Sequence, residues 1–183
     1  MRERLRRMAL AAYLASDETN SPHELVYGLL REPAAPSWSH QIVVGRVFVR
    51  LERHVSQRRL GRVIQSPVDV VLDRERALVV QPDVVFISSQ RVEICTDRIW
   101  GAPDLVVEVL SMGTRRHDST TKLAWYEKYG VRECWLIDPI AEELEVISLG
   151  KPRASRVHTA EQIAQSHVLP QLRLRVSDLF RRA

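Results

Sequence analysis

Cysteine is nearly absent from this sequence. Only Cys95 and Cys134 occur among 183 residues, and they form no CxxC pair, so neither a disulfide framework nor a zinc site is signalled. A reducing compartment, the cytoplasm, is the expectation. No apolar run approaches the roughly 20 residues needed to span a bilayer. No GxGxxG follows a strand and no GxxxxGK[ST] occurs, which removes the common nucleotide cradles. No GxSxG is present, which argues against the nucleophile elbow of an α/β-hydrolase. Internal repeats and low-complexity linkers are missing, and no helix-turn-helix or zinc finger supplies an evident means of reading bases.

What is present is the composition of an ordinary globular domain. Hydrophobic residues make up 45% and charged residues 27% of the chain, and the length suffices for one domain with a real core. A single domain over residues 1–183 is expected, with an N-terminal helix at 1–20, a core at 23–149, and C-terminal strands and a short helix at 150–183. The opening MRERLRRMALAAYLAS places basic residues before a short apolar patch, as a signal peptide does. Asp17 and Glu18 follow at once, and an amphipathic helix is the better reading. The net charge of +4 and the pI of about 9.4 permit an anionic partner without demanding one. The arginines are scattered in small groups, each accounted for by solvated surface charge.

The pattern along the chain mixes helix and strand. HELVYGLLR (23–31) reads as a strand and EPAAPS as a proline-rich loop. Between 39 and 57, Val44, Val47, Phe48, Leu51 and Val55 recur at helical spacing, with Gly61 as the stop. RVIQ, VDVVL (68–72), DVVFIS (83–88) and APDLVVEVLS (102–111) read as strands. Asp118 or Ser119 can cap a helix that ends at Gly130. RECWLID and LEVISL form a hairpin across the Asp138-Pro139 turn, and SDLFRR is a last short helix. A central sheet with helices on both faces is the natural packing.

One residue conflicts with this pattern. The run around Leu105, Val106, Val107, Val109 and Leu110 is continuously apolar, as in a strand covered on both faces, yet Glu108 interrupts it. A buried carboxylate is costly without a cation or several donors. Side chains alternate along a strand, so Asp104, Val106, Glu108 and Leu110 share one face. From this stretch alone two readings stand: a metal or cleft beside the acid, or a strand end where it reaches water or an arginine. Asp83, Glu24 and Lys122 widen the question. Carboxylates on two neighbouring strands can hold one hard divalent cation, for which Mg²⁺ suffices with one or two protein carboxylates and several waters. A lysine nearby can orient a water or neutralise developing charge. These are the parts of a metal-dependent phosphodiesterase.

Asp83 in a Pro-Asp pair, with Glu108 in an apolar strand 25 residues further on, resembles the PD-(D/E)xK nuclease signature. More narrowly, HELVYG, SHQIVVGRVFVRLERHV, SPVDVVL, VVQPDVVFIS, GAPDLVVEVLS, TRRHDSTTKLAWYEKYGVRECWLIDP and VLPQLRLRVSDLF resemble, in order and over nearly the whole chain, the Uma-type family of bacterial "putative restriction endonucleases". The resemblance implies an α/β restriction-endonuclease-like core: a central mixed β-sheet flanked by helices. It implies metal ligands at Asp83 and Glu108, with Glu24 nearby. Leu110 stands where a textual ExK would place lysine, so the resemblance assigns the lysine role to Lys122 on the following helix. Two stretches depart from the family. Tyr27 and Leu29 stand where acids are common, and Met112 and Gly113 stand where Pro and Ser are favoured.

The expectation is therefore a Mg²⁺-dependent DNA endonuclease, with Mn²⁺ as a substitute ion and DNA as partner. Asp83 and Glu108 would hold the ion, Lys122 would orient or activate water, and Glu24 would hold that water or a second ion. A homodimer suits the cutting of two strands. The departures at Tyr27 and Leu29 motivate an alternative, a catalytically inactive nucleic-acid-binding or interaction protein on the same fold. A third reading is a hydrolase of another phosphodiester such as RNA. Asp104 is expected at the strand start, supporting the site. Tyr126, one turn after Lys122, is expected in the core. His40 is expected as an ordinary helix-start histidine, with a donor role behind the site as the sharper alternative.

Overall fold

The computed structural model describes residues 6–17, 22–111, 113, 115 and 117–181. The chain opens with β1 (Arg6–Arg7) and α1 (Leu10–Leu14), then β2 (Glu24–Val26) and β3 (Leu29–Arg31). The long helix α2 (Trp38–Arg58) leads to β4 (Gly61–Gln65), β5 (Val70–Asp73), β6 (Leu78–Val80) and β7 (Val84–Ser88). A 3₁₀ turn (Ser89–Ile94) precedes β8 (Ile99–Trp100) and β9 (Leu105–Val109). A π-helical segment (His117–Lys122) runs directly into α3 (Leu123–Tyr129). The strands β10 (Glu133–Asp138), β11 (Glu143–Ser148), β12 (Ala154–Thr159), β13 (Ile163–Ala164) and β14 (Leu174–Arg175) follow, and α4 (Ser177–Phe180) closes the described chain.

The strands form two six-stranded mixed sheets and one small ladder. The first sheet runs β12-β11-β10-β9-β7-β4, with β9 and β10 parallel and the other pairs antiparallel. The second runs β1-β3-β2-β6-β5-β8, with β5 and β8 its parallel pair. The mixed α/β class is as expected, but two sheets stand where one was anticipated. The reason is local. HELVYGLLR is a hairpin, because Tyr27 (φ 51°) and Gly28 (φ 79°) both turn left-handed between β2 and β3, the conformation a tight two-residue connection needs. The short strand β6, too brief to stand out in the sequence, then joins β2 to β5.

The opening helix is also shorter than anticipated. Within the described residues it is confined to Leu10–Leu14, and Arg6–Arg7 is extended and paired with Leu29 and Leu30. Residues 8–9 and 15–17 are not helical, and residues 1–5 and 18–20 of the expected helix lie outside the described residues. An isolated helix under about 12 residues is marginal, so strand pairing wins at its start.

Two layers of core explain the apolar run of β9. Leu105, Val107 and Val109 pack with Val44, Val47 and Leu51 of α2 on one face. Val106 and Leu110 pack with Leu123, Trp125 and Tyr126 of α3 on the other. Both faces are thus dry, and Glu108 points to the α3 side with Val106 and Leu110. α2 begins where the Ser37 hydroxyl accepts the His40 amide, an N-cap. It ends at Arg59 in the left-handed region (φ 55°), not at Gly61 as its sequence suggested. Gly61 has another duty: a Cβ there would meet the Ile87 carbonyl oxygen at 2.0 Å, so the residue allows β4 to lie against β7.

Candidate active site

Two adjacent strands present the two expected metal-binding acids. β7 and β9 pair antiparallel with Val84 opposite Val107, Val85 opposite Val106 and Phe86 opposite Leu105. One step further in that register sets Asp83 across from Glu108. The ladder ends here with a side chain: Asp83 Oδ2 accepts the Val109 amide at 2.7 Å. His40 Nε2, at the start of α2, lies 2.9 Å from the Val109 carbonyl oxygen and 3.4 Å from the same Asp83 oxygen.

Lys122 completes the cluster from the crossover between β9 and β10. Its Nζ is 2.9 Å from Glu108 Oε1, 2.9 Å from Glu24 Oε1 and 3.6 Å from Asp118 Oδ1. Only 4% of Lys122 and 3% of Glu108 reaches solvent, so these contacts act at low dielectric, where losing one partner is far costlier than at the surface. The Tyr126 hydroxyl, one helical turn beyond Lys122, donates to Glu108 Oε1. Glu24 Oε2 faces Arg31 Nη1 and His117 Nε2, each at 3.7 Å, and Arg31 donates to that imidazole nitrogen. His117 in turn meets Trp125 edge to face.

The electrostatics follow from burial and company. Burial works to raise the Glu24 carboxyl, but the Lys122 ammonium and the contact with His117 prevail and hold it at about 2. Burial pushes the Glu108 carboxyl well above the usual range, and Asp118 and Asp83 add to this against the pull of Lys122 and Tyr126. Burial opposes the charge on Lys122, but Glu108, Glu24 and Asp118 outweigh it and keep the ammonium charged well above the ordinary lysine range. The lysine is thus a fixed cation and Glu24 a fixed anion.

Glu24, Glu108 and Lys122 are brought together by direct ion pairs, and Asp83 stands across the strand pair from Glu108. Two residues, Asp104 and Asp118, differ from the sequence reading, and Tyr126 gains a contact beyond the core place expected of it. Asp104 lies at the far end of β9, where it is completely buried, accepts the Ser88 amide at 2.8 Å and pairs with Arg91 and Arg132 at 3.3 Å each; it serves the fold and not this cluster. Tyr126 does pack in the core, but its hydroxyl is spent on Glu108. Asp118 is not a helix cap; it lies inside the π-helical turn and faces Lys122. The sequence reading passed over Arg31 and His117. The four-residue spacing of Asp118 and Lys122 was a usable signal, whereas the contact of Arg31 with His117 spans 86 positions and left none. Tyr27 packs edge to face on Trp125 at the rim. Met112 lies outside the described residues.

The donor set suits a hard cation. Among the described residues no three His, Cys, Asp or Glu side chains gather as a self-sufficient metal cage. Mg²⁺ does not need one, since it retains waters and takes one or two carboxylates. Among the described residues the donors on Asp83 reach Oδ2 and those on Glu108 reach Oε1.

A mixed α/β core, with acids on two adjacent strands and a buried lysine delivered by the crossover helix, is of the restriction-endonuclease-like class. The family model Uma2, described as "Putative restriction endonuclease", matches residues 6–177, and the chain belongs to that family. No curated protein matches the chain. A solved structure described as "a putative nuclease belonging to DUF820 from Anabaena variabilis" is similar, with a TM-score of 0.78 and 19% identity over 94% of this chain and 97% of that one. At that identity the likeness is one of fold. No described helix is long and apolar enough to cross a membrane.

Proposed function

We propose that this protein is a Mg²⁺-dependent DNA endonuclease that hydrolyses phosphodiester bonds. The observation that carries the reading is the buried Lys122 ammonium, 2.9 Å from both Glu24 and Glu108, with Asp83 across the strand pair from Glu108. Asp83 and Glu108 would hold the cation, for which Mn²⁺ is a substitute. Bound there, it would supply Lewis-acid charge at the scissile phosphate.

The chain's own residues divide the remaining work. Lys122, locked in its charged form, donates hydrogen bonds and cannot act as a base. It orients the attacking water and offsets negative charge that grows on the phosphoryl oxygens. Glu24, held at about 2, is a poor proton acceptor near neutral pH; it fixes Lys122 and accepts a hydrogen bond from the water. Water oxygen bonds to phosphorus as the ester P–O bond breaks, and the released proton passes to solvent. Tyr126 keeps Glu108 in one orientation. The positive net charge of the chain favours a polyanion as partner, and two copies of the chain would serve the two strands of a duplex.

Supercoiled plasmid tests this. Purified protein is expected to convert it to nicked and linear forms with Mg²⁺ or Mn²⁺ and to leave it intact with chelator. Plasmid retained without cutting under every metal would favour a binding module. Cutting confined to RNA would reassign the substrate.

A further inference from the structure

We propose that His40 is a positioning residue that sets the distance between Asp83 and Glu108, and so the affinity of the site for its divalent cation; this rests on the reading above. The β7–β9 ladder gives out at Val84 and Val107, one residue short of the two acids. Beyond that point the two strands no longer pair with each other, although the Asp83 carbonyl still accepts the Ser66 amide and Val109 still pairs with Ile137 of β10. Three contacts join them there in a closed triangle: Val109 donates its amide to Asp83 Oδ2 at 2.7 Å, His40 Nε2 reaches the Val109 carbonyl oxygen at 2.9 Å, and the same Nε2 stands 3.4 Å from Asp83 Oδ2. Val109 is the residue after Glu108, so the imidazole ties the backbone bearing one acid to the carboxylate of the other.

The clasp is rigid. His40 is buried, and its own amide is fixed by the Ser37 cap of α2. Its Nδ1 is buried with no partner, which matches the tautomer with hydrogen on Nε2, shared between the two oxygens. The contacts on Asp83 all fall on Oδ2. Groups behind a metal ligand commonly fix its orientation in this manner.

Calorimetric titration with Mn²⁺ alone, without DNA, tests the assignment in wild type and in His40→Ala, His40→Gln, Asp83→Asn and Val44→Ala. His40→Ala is expected to weaken Mn²⁺ binding by about 10- to 100-fold, the usual cost of losing such a group. His40→Gln carries an amide nitrogen near the Nε2 position and is expected to stay within about threefold of wild type, with a larger share of the affinity than alanine. Val44→Ala, a buried cut in the same helix, is expected to lower the melting temperature and leave Mn²⁺ affinity alone. Should His40→Ala not fold, His40→Asn, whose amide falls short of Nε2, takes its place with the same expected loss. If Asp83→Asn abolishes binding while the histidine variants bind as wild type, the role of His40 is refuted and the metal site stands. If His40→Gln binds as poorly as alanine, or Val44→Ala weakens binding as much, the clasp is refuted. If Asp83→Asn binds as wild type, the metal reading beneath it fails.

Discussion

Glu108→Gln is expected to abolish plasmid cutting and leave the fold intact. The amide keeps the shape of the side chain and can still accept from Tyr126 and Lys122, but it loses the charge that a cation needs. A fall of roughly a thousandfold or more is expected, about 4 kcal/mol of transition-state stabilisation. Stability should change little, because burial and the neighbouring acids already make the ionised form of Glu108 costly. The sign is definite. A carboxyl raised in the folded state destabilises the fold where it must be charged, so removing its charge carries no penalty of its own. For the same reason wild-type cutting should rise with pH, as Glu108 releases its proton to solvent more readily when a cation takes its place. Cutting measured beside urea denaturation checks both parts: lost activity with unchanged midpoint is the expected pair.

Lys122→Met is expected to damage the fold as well as the reaction. The side chain is nearly isosteric, but Glu24, Glu108 and Asp118 are left facing one another in a dry site. Breaking a buried charge pair from one side typically costs about 3–5 kcal/mol, and a loss of that order is expected at neutral pH. The pH dependence distinguishes this from a packing defect. In the wild type Glu24 is held at about 2 against an ordinary 4.5, so its contribution to stability is fully present above 4.5 and is lost as pH falls toward 2. The variant lacks the share of that contribution that comes from Lys122 at any pH and keeps the share from His117. The gap between the two proteins should therefore be widest near neutrality and close as acid is added. A constant gap from neutrality to pH 3 would mean that Lys122 acts by bulk alone. Cutting should be lost at neutral pH even at temperatures where the variant is folded.

The elements that the sequence reveals are those with a strong period or a dry environment. α2 is legible because Val44, Val47, Leu51 and Val55 face one layer of core. β9 is legible because α2 and α3 cover its two faces. Glu108 is conspicuous for the same reason, since an acid in such a run needs a partner. The second sheet is less visible. Its strands span two to four residues each, too few to establish a period of two, and the Tyr27-Gly28 turn hides inside an apolar stretch. Within the site, Lys122 is recoverable only through family resemblance, because its partners Glu24 and Glu108 come from two different sheets. The roles of Tyr126 and His40 depend on contacts 18 and 69 positions apart, and no local pattern marks them. A π-helical turn leads into α3 and sets the Lys122 ammonium beside Glu108; such turns occur often at functional sites, yet HDSTTK carries no distinguishing signature.

A crystal structure of the wild-type protein grown with Mn²⁺, with anomalous data recorded, tests the central claim most directly. The account predicts one strong anomalous peak in contact with an oxygen of Asp83 and an oxygen of Glu108, with Lys122 still paired to Glu24. A peak elsewhere, or no peak at Mn²⁺ concentrations that support cutting, would contradict it.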